Sequence, residues 1–480
     1  MSDTARYQSP LGGRYASPRM QSLWGPKHRA RLWRELWLAL AQEQQRLGLA
    51  IPQAALDEMQ AHLDDVDLDT VNQYERRFRH DVMAHVHAFG DQAPAARAFI
   101  HLGATSAFVS DNSELIVIRD ALHLLLGRLV AVMQTLADFA VTHRDTATVA
   151  YTHFQPAQLT TVGKRACLWL QDFSLDAAAM LDAAQGLMFR GCKGTTGTQA
   201  SYLDLFHGDH DKVRELDQAM ARRFGFGQSI PLSGQTYTRK IDSRVLDLLS
   251  GIAQSASKFA TDLRLLQHEG ELLEPFESEQ IGSSAMAYKR NPMRAERICA
   301  LARHIITLNA NPAHTAAVQW LERTLDDSAN RRLTLPEAFL AADAVLILCT
   351  NVAGGLVVNP AIVERNVRRV MPFMATERWM MLGVEAGGDR QELHEVVRRH
   401  SREVQEAMAA GDVANDLLER LAAEPAFARV DSARLRAELD PQRYVGRAPE
   451  QVVEFIEGPL AALLQTLAPY SAPDEAAVTL

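Results

Sequence analysis

The chain has few cysteines and few aromatic residues, and each shortage excludes a class of protein. Four cysteines occur in 480 residues, and they are widely spaced, with no C-x-x-C pair. We therefore expect neither a disulfide framework nor a zinc site, and we expect a reducing, cytoplasmic location. Aromatic residues make up 7% of the chain against 47% hydrophobic residues overall, so the apolar content is mostly aliphatic. Apolar content of this kind favours packed helices over β-sandwich cores.

The chain also lacks an excess of positive charge and a long uncharged apolar run. Fifty Lys and Arg residues against 59 Asp and Glu residues give a formal net charge of −9, which argues against nucleic-acid binding. The most apolar stretch, from Leu115 to Met133, is interrupted by Arg119, Asp120, His123 and Arg128, a charge density that does not suit a bilayer span. No basic region followed by an apolar run opens the chain, so we expect no secretory signal. The composition predicts a soluble protein without a nucleic-acid or membrane partner.

Apolar residues recur at the helical spacing of three and four over long stretches. The clearest run extends from Glu114 to His143 without a proline, and a helix of that length measures roughly 45 Å at ~1.5 Å per residue. We predict further long helices over residues 157–189, 243–273, 292–308 and 336–352, and short extended pieces near residues 148–155. The apolar faces are wider than one helix seam buries, which favours association between subunits, with a large monomeric bundle as the alternative.

Two breaks in the helical pattern divide the chain. Residues 103–112 (GATSAFVSDN) and 354–360 (GGLVVNP) have the composition of loops. We therefore predict an all-α protein with three helical domains, over residues 1–105, 106–358 and 359–480. The central domain is expected to be a bundle of the long helices.

Three polar segments rich in small hydroxyl residues interrupt the helices: residues 101–112, 151–165 and 281–297. The third combines the hydroxyl of Ser283, the cation of Lys289 and a helix start at Asn291 and Pro292. Unpaired N–H groups and the positive dipole end of a helix stabilise an anion, so this segment suits a substrate carboxylate. An ordinary loop between helices explains the spacing equally well.

The same segment identifies a family. Ile281–Asn291 matches the G-S-x-x-M-x-x-K-x-N signature of the fumarase/aspartase superfamily, and GATSAFVSDN and THFQPAQLTTVGKR resemble the two other regions that its members share. Within the superfamily, the chain most resembles the adenylosuccinate lyase family in its animal-type form, through RYASP, RHDVMAHVH, KGTTGTQAS, SGQTYTRK and WLERTLDDSANRR. The resemblance extends from about Arg14 to about Pro459. Ala287 stands where the family usually has proline, which should make the loop more flexible.

This resemblance implies a fold, an assembly and a reaction. The fold is three all-α domains whose central long helices assemble into a homotetramer, with each active site built from three subunits. The reaction is a β-elimination that releases fumarate from adenylosuccinate, giving AMP, or from the succinylated aminoimidazole carboxamide ribotide. It requires no metal or organic cofactor, and the partners implied are these purine-nucleotide substrates.

The resemblance also assigns roles to individual residues. His153 matches the general acid, a role that suits an imidazole near neutral pH. Ser283 matches the general base, and its alkoxide needs stabilisation by Lys289 and backbone N–H groups. His80 matches a residue that assists the acid. The implied substrate contacts are Arg14, Tyr15, Arg79, His80, Asp81, Thr105, Ser106, Thr152, Gln235, Lys289, Asn291, Arg297, Arg323, Ser328 and Arg332. Because so many of them are cationic, we expect locally positive clefts.

Alternative interpretations concern both single motifs and the whole chain. His80, His85 and His87 suggest a metal site, but their helical spacing points them in different directions, so we expect no metal. KGTTGTQAS, from Lys193 to Ser201, lacks the G-K-[ST] ending of an ATP-binding loop. Two other functions stay open: a sibling lyase of the superfamily, such as fumarase, aspartase, argininosuccinate lyase or a cycloisomerase, and a helical scaffold without catalytic activity.

Overall fold

The computed structural model describes residues 7–411 and 413–471. Helices predominate in this part of the chain, as predicted for an all-α protein. Its strands form two antiparallel two-stranded sheets, β1 (Ala147–Thr152) with β2 (Gln155–Thr161), and β3 (Leu272–Leu273) with β4 (Val357–Val358). The helices are α1 (Pro18–Leu23), α2 (Pro26–Arg46), α3 (Gln53–Ala61), α4 (Leu68–Phe78), α5 (Asp81–Gln92), α6 (Ser106–Thr142), α7 (Val162–Gly186), α8 (Ala200–Leu205), α9 (His210–Arg223), α10 (Lys240–His268), α11 (Met293–Leu308), α12 (Ala310–Ala317), α13 (Asp326–Gly354), α14 (Pro360–Glu385), α15 (Arg390–Ala410), α16 (Leu417–Ala423), α17 (Ser432–Ala437), α18 (Ala448–Phe455) and α19 (Ala461–Leu467).

The long helices α6, α7, α10, α11 and α13 pack side by side and form the largest core. Their inward faces are mostly aliphatic, and Trp169, Phe173, Phe259 and Phe339 are among the large buried side chains. By length and apolar composition α13 could cross a membrane, but 72% of its most apolar window is buried inside the fold. This degree of burial is typical of a helix at the centre of a protein core.

Smaller cores flank the bundle. One joins α2, α3, α5 and α9 with the first part of α6, and another joins α14, α15, α16 and α17. The predicted domain boundaries fall at the start of α6 and between α13 and α14. The three-domain division stays a prediction, and the bundle core and the first of these smaller cores share α6.

Three predictions of secondary structure are wrong at their boundaries. The segment 103–112 is not a loop throughout, since α6 begins at Ser106 and includes most of the motif. Gly103, with a φ of 72°, makes the turn that precedes this helix start. Pro336 lies inside α13 and does not begin it, because α13 starts ten residues earlier at Asp326. Residues 157–161, predicted as helix, form the end of β2 before α7 begins.

Candidate active site

A polar pocket of about 570 Å³ lies where α5, α6 and α13 begin. Residues from distant parts of the sequence line it, and nine of them are predicted substrate contacts: Arg79, His80, Asp81, Thr105, Ser106, Gln235, Arg323, Ser328 and Arg332. The fold therefore brings together the RHD, GATS, SGQ and ERTLDDSANRR motifs in one chain. We refer to this cavity as the polar pocket.

Helix N-termini face the polar pocket from three directions. His80, Asp81 and Val82 line it from α5, Thr105, Ser106 and Ala107 from α6, and Leu325, Asp327 and Ser328 from α13. The N-cap residues of α6 and α13, Thr105 and Leu325, make no side-chain capping hydrogen bond. The N–H groups of Phe108 and Ser328 donate to the carbonyl oxygens of Thr105 and Leu325, so the two N–H groups that precede each of them are the ones open to a bound anion. The helix dipoles add positive potential there.

The side chains of the pocket are balanced in charge. Arg79, Arg239, Arg323, Arg331 and Arg332 line it, together with Glu75, Asp81, Asp111, Glu114 and Asp327. The expectation of a positive cleft is thus wrong for the side chains of this pocket in a single chain. The reason is that five carboxylates accompany the arginines, and three of them, Asp81, Asp111 and Asp327, stand in the same motifs.

His80 is held in one orientation at the start of α5. It is the N-cap residue, and its Nδ1 accepts a hydrogen bond from the N–H of Met83 at 3.3 Å. A neutral imidazole that accepts through Nδ1 carries its proton on Nε2. Nε2 faces the Ser106 hydroxyl at 3.5 Å, so the ring presents a donor to the polar pocket.

The neighbours of His80 are fixed as well. Arg79 ends α4 in the left-handed conformation, with a φ of 55°, which turns the chain sharply into α5. Asp81 accepts a hydrogen bond from Arg332 at 2.7 Å, joining α5 to α13. Burial opposes ionisation of Asp81, but the Val82 N–H and Arg332 hold its pKa below the ordinary value. Asp81 is therefore an anion that orients Arg332.

Gln235 is positioned through its backbone. Its N–H donates to the carbonyl oxygen of Glu322 at 3.0 Å, and its own carbonyl accepts from the Arg190 guanidinium. A side chain on Gly234 would overlap with the backbone of Glu322. Glycine thus permits the close approach that brings Gln235 beside the segment containing Arg323.

The floor of the polar pocket is a buried charge network whose members were not among the predicted site residues, although several of them stand in the quoted motifs. Arg239 donates to Asp327 at 2.6 Å and to Asp111 at 3.1 Å. Arg331 donates to Asp242 at 2.7 Å and lies 2.6 Å from Glu114. The available signal was the charged residues within otherwise buried helix faces, since ionic side chains are rarely buried without a partner.

Burial and ion pairing act in opposite directions on this network. Burial disfavours the charged guanidinium of Arg331, yet Asp242 and Glu114 raise its pKa well above the ordinary value. Burial likewise opposes ionisation of Asp111, and Arg239 and Arg331 bring its pKa below the ordinary value. For Glu114 burial prevails and raises the pKa, despite the nearby Arg331.

His153 lies at the tip of the hairpin formed by β1 and β2, which we call the His153 hairpin (residues 147–161). His153 and Phe154 form the two-residue turn, with φ values of 52° and 56°. Tight hairpins favour this left-handed pair of conformations, but they usually place Asn or Gly there. Both turn residues and Thr152 are exposed. The backbone thus holds the imidazole outward in a conformation of high energy.

Ser283 lies in the loop between β3 and α11, which we call the Ser283 loop (residues 277–292). Its Oγ accepts hydrogen bonds from the N–H groups of Ala285 at 3.3 Å and Met286 at 3.1 Å. Asn291 donates to the carbonyl oxygen of Gly282 at 2.7 Å and closes the loop. Two backbone donors aimed at one hydroxyl oxygen would stabilise its alkoxide.

The remaining predicted residues lie near this loop. The Lys289 side chain is exposed and, within the described residues, makes no hydrogen bond or ion pair. Arg297, one turn into α11, stacks its guanidinium over the Tyr15 ring at 5.4 Å, and Arg14 lies 5.8 Å from the same ring. Nη1 of Arg297 is buried without a hydrogen-bond partner in the described part of the chain. Arg14, Tyr15 and Arg297 therefore form a second cationic cluster.

A single chain does not bring His153 to the polar pocket. Ser106 and Thr142 are the two ends of α6, a helix of 37 residues that is about 55 Å long at ~1.5 Å per residue. His153 follows Thr142 by eleven residues, which reach about 38 Å at most when fully extended. Ser106 and His153 of one chain are therefore at least ~15 Å apart on chain geometry alone.

The Ser283 loop is also remote from the polar pocket. Gln267, in the last turn of α10, donates to the carbonyl oxygen of Arg290 at 3.0 Å. Arg239, the N-cap of the same helix, lines the polar pocket 28 residues earlier, about 42 Å away along the axis. The predicted acid and the predicted base thus both lie near the end of the bundle opposite to this pocket.

Metal and ATP sites find no support in the described residues. No group of three or more His, Cys, Asp and Glu side chains there could hold a metal ion. His85 packs against the Trp33 ring at 4.8 Å, and burial lowers its pKa to about 4, so it is a neutral packing residue. Lys193 of KGTTGTQAS is buried and donates to Asp217 at 2.6 Å, which gives this lysine a structural contact instead of a phosphate.

Comparison with known proteins agrees with these motifs. The profile of the family described as Lyase matches residues 35–307, and that described as Adenylosuccinate lyase C-terminus matches residues 372–455. The chain is 48% identical to adenylosuccinate lyase of Saccharomyces cerevisiae over 98% of both chains. It is 45% identical to adenylosuccinate lyase of Schistosoma mansoni over 95% of both chains.

A solved structure shares the fold at lower identity. The 3-carboxy-cis,cis-muconate lactonizing enzyme of Pseudomonas putida superposes with a TM-score of 0.79, covering 96% of this chain and 99% of that one, at 23% identity. At this identity the likeness concerns the helical fold alone. Taken with the two matching family profiles and the near full-length relatives, the motifs lead to one conclusion: the chain belongs to the adenylosuccinate lyase family of the fumarase/aspartase superfamily.

Proposed function

We propose that the chain eliminates fumarate from adenylosuccinate, leaving AMP, and from the succinylated aminoimidazole carboxamide ribotide. The observation that carries this proposal is the 48% identity to yeast adenylosuccinate lyase over 98% of both chains. The chemistry of the candidate site supports it, because no predicted acid, base or cation is missing from the motifs. The function that this supports is a carbon–nitrogen lyase of purine biosynthesis, located in the cytoplasm.

In the proposed reaction the base removes a proton from the succinyl carbon next to a carboxylate. The electron pair moves into that carboxylate, which becomes a doubly charged aci-carboxylate. The carbon–nitrogen bond then breaks, and the departing nitrogen takes a proton from the acid, so that fumarate and the amino product form together. Because negative charge accumulates before the bond breaks, catalysis depends on donors already oriented around it.

Ser283 is the proposed base. A serine hydroxyl is weakly basic, so its deprotonated form must be stabilised by the site. The hydrogen bonds from the N–H groups of Ala285 and Met286 supply part of this stabilisation. Lys289 adds a positive charge on the same loop, and exclusion of water when the loop meets its substrate would strengthen both effects.

His153 is the proposed acid. The turn at the tip of its hairpin exposes the imidazole on the surface of its own chain, where another chain of the proposed assembly could meet it. His80, which presents Nε2–H beside Ser106, is proposed to assist it. The polar pocket would hold the anionic groups of the substrate through Arg323, Ser328 and Arg332 and through the first turns of α6 and α13.

We further propose a homotetramer in which each active site takes residues from three chains. The separation of at least ~15 Å between Ser106 and His153 of one chain supports this, since one substrate must contact both. Exposed apolar residues on the outer faces of the bundle also support it: Leu168 is 46% exposed, Leu175 65% and Leu265 41%. Long helices with apolar outer faces are stabilised by association.

The first experiment tests the reaction. The purified chain is mixed with adenylosuccinate, and fumarate and AMP are measured by absorbance and chromatography. Release of both at an enzymatic rate is expected, with Ser283→Ala retaining substrate binding and losing turnover. No release from adenylosuccinate, together with activity on argininosuccinate or malate, would contradict the proposal.

The second experiment tests the shared site. His153→Ala and Ser283→Ala chains are unfolded together, refolded as mixed tetramers and assayed. If the two side chains of a site come from different chains, random mixing gives intact sites with a frequency of about one quarter, and activity recovers to that level. No recovery in tetramers whose mixed composition is verified by native mass spectrometry would show that each site uses one chain for both residues.

A further inference from the structure

We propose that Glu271 is a positioning residue that fixes the His153 hairpin to the helical bundle, and this inference rests on the proposed role of His153. Glu271 follows the end of α10 and precedes β3, and it is 3% exposed. It belongs to none of the motifs that resemble the family. Its carboxylate nevertheless joins the hairpin to two other parts of the fold.

Each carboxylate oxygen of Glu271 has a separate partner. Oε2 accepts a hydrogen bond from the hydroxyl of Thr148, on β1, at 3.1 Å. Oε1 accepts from the side-chain amide of Asn366, on α14, at 2.8 Å. Arg165, at the start of α7, lies 3.9 Å from Oε2. Glu271 therefore connects β1, α7 and α14 at one buried point.

The hairpin needs such a connection. A two-stranded sheet is marginally stable by itself, and this one has an irregular register between Val149 and Tyr151. Its turn also places His153 and Phe154 in left-handed conformations, which non-glycine residues adopt only when the surrounding structure enforces them. Rigid attachment of the strands would therefore maintain the direction of the imidazole.

The attachment concentrates on two consecutive residues of β1. Thr148 is completely buried and donates to Glu271. The carbonyl oxygen of the next residue, Val149, accepts a hydrogen bond from Arg165 at 2.6 Å. Because Glu271 and Arg165 are also close to each other, one carboxylate holds the hairpin directly and orients the guanidinium that holds it a second time.

Glu271 could instead act on the Ser283 loop, which begins six residues later in the chain. Mixed tetramers distinguish the two routes, because Glu271 and the hairpin it holds belong to the same chain. A Glu271→Gln chain with a misdirected hairpin still supplies a working Ser283 loop. It should recover activity with Ser283→Ala chains, which supply the hairpin, and not with His153→Ala chains.

The expected results are as follows. Glu271→Gln lowers kcat at least about tenfold and leaves KM within about threefold, since the polar pocket is unchanged. Mixing with Ser283→Ala restores activity toward about one quarter of the wild-type level, and mixing with His153→Ala restores none. Recovery with His153→Ala alone, recovery with neither partner, or an unchanged kcat would each overturn the proposal.

Two further variants test the direction of the effect. Thr148→Val keeps the shape of the side chain and removes only the bond from the hairpin, so it should reproduce the loss in kcat. Asn366→Leu removes the bond from α14 at similar volume and should keep kcat within about threefold of wild type. Equal losses in both variants would mean that Glu271 supports the fold generally, which would overturn the proposal.

Amide hydrogen exchange tests the positioning without relying on catalysis. In Thr148→Val and Glu271→Gln, peptides covering residues 147–161 should exchange at least about tenfold faster, while peptides from α10 stay unchanged. Unchanged exchange in the hairpin would overturn the proposal. If the wild-type chain releases no fumarate but its hairpin still depends on Glu271, the proposed function fails and the positioning by Glu271 stands.

Discussion

Two adjacent arginines of α13 should have opposite importance for folding and for catalysis. Arg331 is buried and contacts Asp242, Glu114 and the Tyr237 hydroxyl. Arg332 is half-exposed and pairs with Asp81 at the rim of the polar pocket. We predict that Arg331→Met greatly lowers the free energy of unfolding, and that Arg332→Met raises KM while leaving this free energy nearly unchanged.

The magnitudes follow from the contacts that each variant removes. Arg331→Met leaves the carboxylates of Asp242 and Glu114 buried without their counter-ion, and breaking a buried pair in this way costs about 3–5 kcal/mol. Asp242 retains the hydrogen bond from Tyr237 at 2.6 Å, which keeps the loss within that range. The pair between Arg332 and Asp81 is 51% and 34% exposed, so its loss should cost no more than ~1 kcal/mol.

The loss in Arg331→Met should depend on pH in a defined direction. Burial already raises the pKa of Glu114 in the folded protein, and removal of Arg331 should raise it further. A carboxyl whose pKa is higher in the folded than in the unfolded state stabilises the fold at low pH. This contribution is lost as the pH rises through the folded pKa. The variant should therefore lose stability relative to wild type as the pH rises above the ordinary carboxyl range, by at most about 1.4 kcal/mol for each pH unit.

Urea unfolding of wild type, Arg331→Met and Arg332→Met at pH 6, 7 and 8 checks this reasoning. Protein concentration is held equal, because an oligomer's apparent stability depends on it, and reversibility is verified by refolding. Steady-state kinetics on adenylosuccinate gives KM for the same samples. The reasoning is refuted if Arg331→Met loses less than about 1 kcal/mol, or if it is less stable relative to wild type at pH 6 than at pH 8.

Three further predictions concern the loops. In Gly282→Ala the added methyl group would overlap with the Lys289 carbonyl oxygen, so kcat should fall at least about tenfold, while the melting temperature, measured by calorimetry, stays within ~2 °C. In Asn291→Ala the hydrogen bond to the Gly282 carbonyl oxygen is lost. Amide hydrogen exchange in the Ser283 loop should then be faster than in wild type, while exchange in α11 stays unchanged. An equal change in both segments would contradict the role given to this bond. Phe154→Gly should raise the free energy of unfolding by about 1 kcal/mol in urea, because glycine accepts a φ of 56° without strain and the phenyl ring is 55% exposed.

The fold could be predicted from periodicity because the long helices bury most of their length. The run after Glu114 belongs to α6, and the run predicted over residues 292–308 is α11 within one residue. The helix starts were less predictable. The hydroxyl-rich residues 106–112 have the composition of a loop but lie in the first turns of α6, where Ser106 and Ser110 face the polar pocket. At such positions tertiary packing and binding function override the preference of small hydroxyl residues for loops.

The site could be predicted only where a motif marked it. Nine residues that the motifs indicate line the polar pocket, whereas Arg239 and Arg331 beneath them were missed. These two arginines pair with carboxylates 128 and 89 residues away in sequence. A single sequence can show that a charged residue stands on an otherwise buried helix face, but it does not show which distant charge is its partner. Only the fold shows that the arginines and these carboxylates neutralise one another under the pocket.

The positive potential expected at the site does not come from the arginines of the polar pocket alone. Side chains of the polar pocket are balanced, so attraction for a substrate with a phosphate and two carboxylates must come from other groups. The first N–H groups of α6 and α13, which lack side-chain caps, provide part of it. Further positive charge comes from Lys289, Arg14 and Arg297. In a single chain these residues lie near the Ser283 loop, toward the end of the helical bundle opposite to the polar pocket. The proposed sharing of each site between chains would bring these cations to the polar pocket, so it has an electrostatic argument as well as a geometric one. Mixed tetramers of Lys289→Met and Arg332→Met chains should accordingly contain sites with both cations, and their KM for adenylosuccinate should approach the wild-type value at those sites.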